Sequence, residues 1–111
     1  MARRTRLPAM NPDAIAEADT QVEVEKPSLW DVLLHNDDWT PMDFVVDILE
    51  SIFQKKEWEA RAIMLEVHNK GQAVAGTYGY EIAYTKALET MNSANRAGHP
   101  LKASLREAPG T

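Results

Sequence analysis

Apolar and polar positions follow two periods along this chain, and each change of period marks a predicted element. In the segment LWDVLLH, residues 29–35, the side chains of Trp30, Val32 and Leu34 alternate with their neighbours, as they do in a β-strand. Apolar residues then recur every three or four positions, which predicts an amphipathic helix over about 41–54. The apolar residues of this helix are Phe44, Val45, Ile48, Leu49, Ile52 and Phe53.

The beginning of this helix carries three sequence signals. Thr40 can act as the N-cap, Pro41 suits the first helical position, and Asp43 occupies the position of the acid in a capping box. The sequence therefore predicts that the Thr40 side chain caps the helix at the point where it follows the polar run NDD, residues 36–38.

A second helix is predicted from Glu57 to Gly71, because glycine often adopts the left-handed conformation that ends a helix. Its apolar face, which His68 continues by one turn, contains Ala60, Ile63, Met64 and Val67. The segment QAVAGTY, residues 72–78, predicts a second strand less clearly, since Gly76 interrupts its alternation.

A third helix is predicted over about 80–97, where Gly98 and Pro100 follow as stop signals. Its apolar stripe is expected to contain Tyr84, Leu88, Met91 and Ala94 or Asn95. The segment LKASLRE, residues 101–107, predicts the last strand. The order β-α-α-β-α-β predicts an α+β fold in which three helices pack on a small antiparallel sheet of three strands.

The length of 111 residues suits a single domain with one core. Residues 1–27 mix arginines with acidic residues and contain three prolines and few bulky side chains, so we expect a disordered, flexible N-terminal extension. The core domain is predicted over residues 28–108, with residues 109–111 as a short C-terminal tail.

Charge and composition exclude several classes of protein. The formal net charge is -5 and the basic residues form no stripe, so nucleic acid is not expected as a partner. The chain contains no cysteine, which excludes disulfides and thiol catalysis and fits a reducing compartment. No apolar run approaches the ~20 residues of a membrane span. The basic start lacks the apolar region of a signal peptide, so we expect a cytoplasmic protein.

Enzymatic and metal-binding interpretations of the polar cluster are weak. A small hydrolase using Asp37, Asp38 and His68 remains an alternative, but adjacent carboxylates point apart and acid/base pairs need convergent geometry. His35, His68 and His99 lack the spacing of a metal site, so no metal or other cofactor is expected.

A binding function fits the cluster better. Asn36 and Asp37 offer acceptor oxygens beside the apolar first turn of the predicted helix, which contains Met42 and Val45. Acceptors next to an apolar surface suit an ammonium group that carries a large side chain, such as the α-amino group at the start of a peptide. A self-contained oligomeric peptide-binding module is the second alternative to this interpretation.

The segments VLLHNDDWTPMDFVVDIL, RAIMLEVHNKGQAVAG, YEIAYTKA and HPLKASL closely resemble the ClpS family. Members of this family are adaptors that bring substrates with destabilising N-terminal residues to the Clp ATP-dependent protease. The resemblance covers about 29–107, and the combination of NDDWTPM with a later MLEVH is highly specific. It implies a compact α+β domain behind a flexible N-terminal extension, acting as a monomer without enzymatic activity.

The resemblance also implies roles for individual residues. Binding of the substrate α-amino group falls on Asn36, Asp37 and His68, with water filling a remaining donor position. The pocket for the first side chain, which in the family accepts Leu, Phe, Tyr and Trp, falls on Asp38, Thr40, Met42, Val45, Met64, Val67 and Leu101.

The partner implied by the resemblance is a ClpA-type AAA+ unfoldase, and its docking surface falls on Glu81, Thr85 and Lys86. Tyr84 departs from the acidic residue common in the family, and Gly79 departs from a threonine that would cap the third helix better. The partner machine hydrolyses ATP and peptide bonds, so the adaptor itself requires no cofactor.

Overall fold

The structure, a computed structural model, describes residues 28–110. Its elements are β1 (Leu29–His35), α1 (Met42–Ser51), α2 (Glu57–Lys70), β2 (Gln72–Gly79), α3 (Tyr80–Ala97) and β3 (Lys102–Glu107). This order and the antiparallel three-stranded sheet confirm the predicted α+β fold. The extension predicted for residues 1–27 lies outside the described residues, as does Thr111.

The strand β1 is the centre of the sheet, whose order is β2-β1-β3. Val32 and Leu34 are fully buried, and both belong to the apolar cluster that the helices share with the sheet. Successive side chains of a strand point to opposite faces, so the alternating half of β1 faces the helices. The most apolar of the three strands within residues 28–110 therefore occupies the position with two strand neighbours.

The pairing of β1 with β2 contains a β-bulge. Val32 pairs with Gly76 whereas Leu33 pairs with Val74, so β2 has one residue more than β1 at this point. The ring of Tyr78 lies over Gly76, where a Cβ atom would be only 2.6 Å from Cζ of that ring. The bulge explains why the alternation of β2 is irregular in the sequence.

The sheet face opposite the helices is held by a buried carboxylate. Asp31 is 5% exposed and accepts hydrogen bonds from Thr77 Oγ1 at 2.7 Å and Arg106 Nη2 at 2.8 Å. Thr77 and Arg106 are the register partners of Asp31 in β2 and β3. The hydrogen bond from Thr77, aided by Arg106, lowers the pKa of Asp31 against the opposing effect of burial. One side chain thus links all three strands.

The helix α3 packs on the sheet through small residues. Its buried residues are Ala83, Ala87, Thr90 and Ala94. The predicted apolar stripe is wrong at Tyr84 and Leu88, which are 52% and 43% exposed, whereas Met91 packs partly against the core. Alanine side chains let the helix backbone approach the sheet closely, and larger side chains on that face would hold it away. The size of the side chains, and not their hydrophobicity alone, therefore determines which face of α3 packs on the sheet.

The predicted cap of α1 is also wrong. The N-cap is Pro41, no side chain caps this helix, and the Thr40 hydroxyl instead donates a hydrogen bond of 2.7 Å to Asp37 Oδ2. An ionised carboxylate forms a stronger hydrogen bond than a neutral group does. The Thr40 side chain is therefore engaged with Asp37 and does not cap the helix. The helix spans 42–51, shorter than the predicted 41–54.

The C-terminal end of α2 matches its prediction. Gly71 is the C-cap with a φ of 91°, and its N–H donates to the Val67 carbonyl oxygen at 2.9 Å. The carbonyl oxygen of Gly71 accepts the N–H of Asn36, also at 2.9 Å. This glycine therefore ends α2 and holds the segment that follows β1. None of the helices within residues 28–110 has the length and apolarity needed to span a membrane.

Replacing Gly71 with alanine is expected to lower the free energy of unfolding by about 1 kcal/mol in urea denaturation. A Cβ atom at Gly71 meets nothing within 4 Å, so the loss comes from the backbone conformation and not from crowding. Gly71→Asn is the matched control, because asparagine tolerates the left-handed conformation better. Equal losses in the two variants would contradict this explanation.

Candidate functional site

The candidate site lies where β1 ends and α1 begins. Asn36 and Asp37 directly follow the last residue of β1, and the Asn36 N–H is bonded to the carbonyl oxygen of Gly71 at 2.9 Å. His68 is in the last turn of α2, just before that glycine. The backbone hydrogen bond therefore brings the polar cluster and the end of α2 to the same end of the domain.

Asp37 organises the turn between β1 and α1. Its Oδ1 accepts the backbone N–H groups of Trp39 at 2.8 Å and Thr40 at 2.7 Å, while Oδ2 accepts the Thr40 hydroxyl at 2.7 Å. This is the Asx-type pattern in which a side chain replaces a backbone acceptor. The turn is thus fixed by the same carboxylate that the resemblance assigns to the substrate amine.

The carboxylate of Asp37 is ionised at neutral pH. Partial burial by itself raises its pKa, but the hydrogen bonds from Thr40 and Trp39 and the nearby His99 outweigh burial and leave the pKa below its ordinary value. A carboxylate with a lowered pKa accepts a proton poorly and keeps its negative charge at neutral pH. The electrostatics of Asp37 therefore suit the binding of a cation better than general base catalysis.

Asn36 and His68 present their polar atoms to solvent. Both side chains are exposed, and within residues 28–110 neither the Asn36 amide nor the His68 imidazole forms a hydrogen bond. A ring nitrogen and an amide oxygen are both competent acceptors for an ammonium group. The arrangement thus offers two unoccupied acceptors beside an ionised carboxylate.

The predicted pocket residues come from two helices and one loop. Val45 of α1, Met64 and Val67 of α2, and Leu101 before β3 belong to one apolar cluster and are all buried. Met42, in the first turn of α1, is 44% exposed and does not belong to this cluster. Asp38 is exposed and Thr40 is half-buried. Met64, Val67 and His68 lie on one face of α2, which joins the apolar cluster to the polar residues Asn36 and Asp37 at the end of β1.

His99 lies close to the candidate site. The sequence analysis considered this residue only as a possible metal ligand and did not predict its position near Asp37. Its ring packs edge-on against Phe44 with centroids 4.7 Å apart, and its charge contributes to the lowered pKa of Asp37. His35 instead shares a 2.6 Å hydrogen bond with Ser104 Oγ. Within the described part of the chain no group of His, Asp or Glu side chains could hold a metal ion.

The three residues of the implied docking surface have different environments. Glu81 and Thr85 are exposed on α3, but Lys86 is half-buried. Its ammonium group donates to the Ile52 carbonyl oxygen at 2.6 Å and to Gln54 Oε1 at 3.2 Å. The rings of Phe53 and Tyr78 lie 5.9 and 5.4 Å from the same nitrogen. Lys86 is therefore not part of an ordinary solvated helix face.

The chain is similar to known proteins over most of its length. Residues 25–104 match the family model described as ATP-dependent Clp protease adaptor protein ClpS. The ATP-dependent Clp protease adapter protein ClpS of Deinococcus radiodurans is 50% identical over 101 residues, which cover 89% of each chain. The protein of the same name from Maricaulis maris is 48% identical over 88 residues, 79% of this chain and 81% of the relative.

A solved structure is also similar. The structure of Agrobacterium tumefaciens ClpS2 bound to L-phenylalaninamide has a TM-score of 0.73 and 36% sequence identity. The match covers 75% of this chain and 100% of that chain. The similarity therefore extends over the whole of a related adaptor that was solved with a small ligand.

The substitution Asp37→Asn is expected to lower the free energy of unfolding at pH 7 by about 1 to 2 kcal/mol, because three hydrogen bonds lose a charged acceptor. The pKa of Asp37 is lower in the folded than in the unfolded chain, so its stabilising effect is present above about pH 4. That effect is lost as the pH falls through the folded value.

Urea denaturation at pH 7 and at about pH 2.5 measures the difference between the wild type and Asp37→Asn, which should shrink at the lower pH. Asp38→Asn is the control, since Asp38 is exposed and accepts no hydrogen bond from another described residue. A difference for Asp37→Asn that stays constant over this range would contradict the stabilising role of the ionised carboxylate.

Proposed function

The chain belongs to the ClpS family of Clp protease adaptors, and from this premise we propose that it binds N-degron substrates and delivers them to a ClpA-type unfoldase. The ligand is the free α-amino group of a polypeptide together with a bulky hydrophobic first side chain. The observation that carries the proposal is the set of two unoccupied acceptors and one ionised carboxylate beside the apolar cluster of α1 and α2.

Recognition of the amine uses the three polar residues in different ways. Asn36 accepts a hydrogen bond through its side-chain oxygen, His68 accepts one through a ring nitrogen, and the carboxylate of Asp37 compensates the positive charge. A protonated α-amino group has three donors, whereas an internal amide has one donor and no charge. A bound water satisfies the remaining donor. The site therefore selects the beginning of a chain over its interior.

Recognition of the first side chain uses the apolar cluster. Val45, Met64, Val67 and Leu101 surround the side chain, and Met42 covers it from the edge, with Asp38 and Thr40 near the rim. Unbranched or aromatic side chains, those of Leu, Phe, Tyr and Trp, reach into such a pocket. Ile and Val carry a methyl group close to the amine, where Met42 crowds them. The phenylalaninamide bound by the related ClpS2 has the free amine and aromatic side chain that this site requires.

The energies are consistent with micromolar binding. Charge-assisted hydrogen bonds contribute about 1.5 to 3 kcal/mol each, and burial of a Leu or Phe side chain contributes about 1.5 to 3 kcal/mol. Part of this is offset by the loss of translational and rotational freedom. A net of about 8 kcal/mol corresponds to a micromolar dissociation constant.

Delivery requires a second surface and a segment that the unfoldase engages. We assign docking to α3, at Glu81, Thr85 and Lys86, and engagement to residues 1–27. The adaptor acts as a cytoplasmic monomer without a cofactor, since the partner machine hydrolyses ATP and peptide bonds. Turnover of a peptide by the isolated chain would favour the hydrolase alternative, and association on a dilution series would favour the oligomeric module.

A peptide with N-terminal Phe is expected to bind in a fluorescence anisotropy titration, whereas the same peptide with an acetylated N-terminus should bind at least 100-fold more weakly. Acetylation removes the charge and two donors, each interaction being worth roughly 1.5 to 3 kcal/mol. Equal affinities for the two peptides would refute the proposed amine site.

The contribution of individual residues is tested by Asn36→Ala and His68→Ala. Each should weaken binding of the Phe peptide about tenfold or more, because each removes one hydrogen bond to a charged donor. Asn69→Ala is the matched control, since Asn69 is exposed on α2 immediately after His68. If Asn69→Ala weakened binding as much as His68→Ala, the loss would come from a general change in α2 and not from the loss of a direct contact between His68 and the peptide.

Removal of residues 2–25 is expected to leave the affinity for the Phe peptide unchanged and to slow degradation of an N-degron reporter by the complete Clp machine. The binding residues all lie after residue 35, whereas engagement by the unfoldase needs a segment outside the domain. Replacing the segment with a Gly-Ser sequence of equal length separates length from sequence. Undiminished degradation by the shortened chain would disprove the role of the segment.

A further inference from the structure

An edge-on ring contact joins the beginning of α1 to the segment between α3 and β3. The ring of His99 packs against Phe44 with centroids 4.7 Å apart and an angle of 67° between the two planes. Phe44 is in the first turn of α1, and His99 lies just after the end of α3. Both side chains are half-buried, and Phe44 also packs against the apolar cluster. The contact therefore connects two elements that are remote in sequence.

Each partner in this contact is close in sequence to a wall of the proposed side-chain pocket. Phe44 directly precedes Val45, and Leu101 follows His99 by two residues. Val45 and Leu101 are buried in the apolar cluster, where they are 6% and 3% exposed. The two walls belong to different elements, so their separation depends on the contacts that join those elements. The pair of Phe44 and His99 is such a contact.

The segment that contains His99 is fixed by its backbone. Gly98 ends α3 in the left-handed conformation with a φ of 82°, and the His99 N–H donates a hydrogen bond of 2.8 Å to the Ala94 carbonyl oxygen. Pro100 restricts the backbone that follows, because its pyrrolidine ring fixes φ. The position of the His99 ring is therefore linked to the end of α3 on one side and to Leu101 on the other.

The His99 ring is also close to the polar side of the site. Burial raises the pKa of Asp37, whereas the hydrogen bonds from Thr40 and Trp39 and the charge of His99 lower it. The interaction between two charges falls with distance, so the ring lies near the turn before α1 as well as near the first turn of this helix. His99 is thus close to both of the segments that position Met42.

We propose that His99 is a positioning residue for peptide recognition, whose ring packs on Phe44 and fixes the distance between the first turn of α1 and Leu101. At this distance Met42 crowds a first side chain that is branched at Cβ. His99 acts through α1 and not through a contact with the ligand. The inference rests on the proposed function and deepens it, because it identifies what sets the selectivity of the pocket.

Loss of the His99 ring should alter the shape of the pocket. When a side chain is removed from a packed contact, the neighbouring groups relax partly into the space that it leaves. Here the neighbouring group is Phe44, so the first turn of α1 moves and Met42 moves with it. A displaced Met42 no longer crowds a methyl group at Cβ, and the pocket then accepts first residues that it otherwise excludes.

The test measures the affinities of the full chain for two peptides that differ only in their first residue, Leu or Ile, by fluorescence anisotropy. The two side chains are isomers, so the ratio of the affinities reports the shape of the pocket and not the amount of apolar surface buried. The wild type should bind the Leu peptide at least about tenfold more tightly. His99→Ala should reduce this ratio to about threefold or less, because the Ile peptide binds better.

His99→Phe is the conservative variant that should rescue the ratio. It keeps an aromatic ring that can pack edge-on against Phe44 but carries no charge. The ratio for this variant should stay within about twofold of that for the wild type. A ratio that falls in His99→Phe as far as in His99→Ala would overturn the role of ring packing, since the charge of His99 would then be what matters.

Tyr80→Ala is the matched control for a general loss of stability. The Tyr80 ring makes an edge-on contact with Trp30, with centroids 5.1 Å apart, but it lies at the beginning of α3. The 18 residues of this helix span about 27 Å, so Tyr80 is far from the pocket. This variant should lower the free energy of unfolding in urea without changing the ratio. An equal fall of the ratio in Tyr80→Ala and His99→Ala would overturn the inference.

The remaining outcomes separate this inference from the proposed function. If the wild type binds neither peptide, or binds the Leu peptide and its acetylated form equally, the proposed function fails and the inference fails with it. If the wild type prefers Leu and His99→Ala keeps that preference, only the inference is overturned. The same holds if His99→Ala weakens binding of both peptides equally, or if the wild type binds Leu and Ile peptides equally well.

Discussion

The hydrogen bond between the Asn36 N–H and the Gly71 carbonyl oxygen joins the two halves of the candidate site. One half is the turn after β1, which contains the amide and the carboxylate, and the other is the last turn of α2, which contains His68. Gly71 can offer its carbonyl in this direction because its left-handed conformation ends the helix. The relative position of the Asn36, Asp37 and His68 side chains therefore depends on the backbone conformation of Gly71. A ligand that needs acceptors from both halves depends on the same residue.

The two ends of α1 are fixed by different groups, and each has a functional consequence. Before the first turn, the Asp37 carboxylate accepts three hydrogen bonds that fix the segment leading into α1, whose Val45 is buried in the apolar cluster. Beyond the last turn, the Lys86 ammonium group bonds to the Ile52 carbonyl oxygen and connects α1 to α3. The proposed peptide-binding site and the proposed docking surface therefore lie at opposite ends of one short helix.

The sequence predicted the element order, the left-handed end of α2 and the grouping of Met64, Val67 and His68, because periodicity and glycine caps are local signals. It failed for the packed face of α3, where the distance to the sheet selects alanine over the larger Tyr84 and Leu88. It also failed for the Thr40 cap, since a competing acceptor, Asp37, was already present in the turn. The sequence also did not predict that the Lys86 side chain turns towards the end of α1. Its partner, the Ile52 carbonyl oxygen, is remote in sequence, so no local pattern around Lys86 indicates the contact. The proposed roles of the site residues came from the resemblance to a family, because the spacing of the residues alone left those roles open.

The β-bulge in β2 has a consequence for a protein that handles other polypeptides. β2 is an edge strand, and a regular edge strand is a template on which a foreign extended segment can add. The extra residue opposite Val32 and Leu33 interrupts the ladder and increases the local twist. An irregular edge of this kind disfavours the addition of an extended segment of another polypeptide to β2. The β2 edge is thus less open to such pairing than the regular edge that β3 forms on the other side of the sheet.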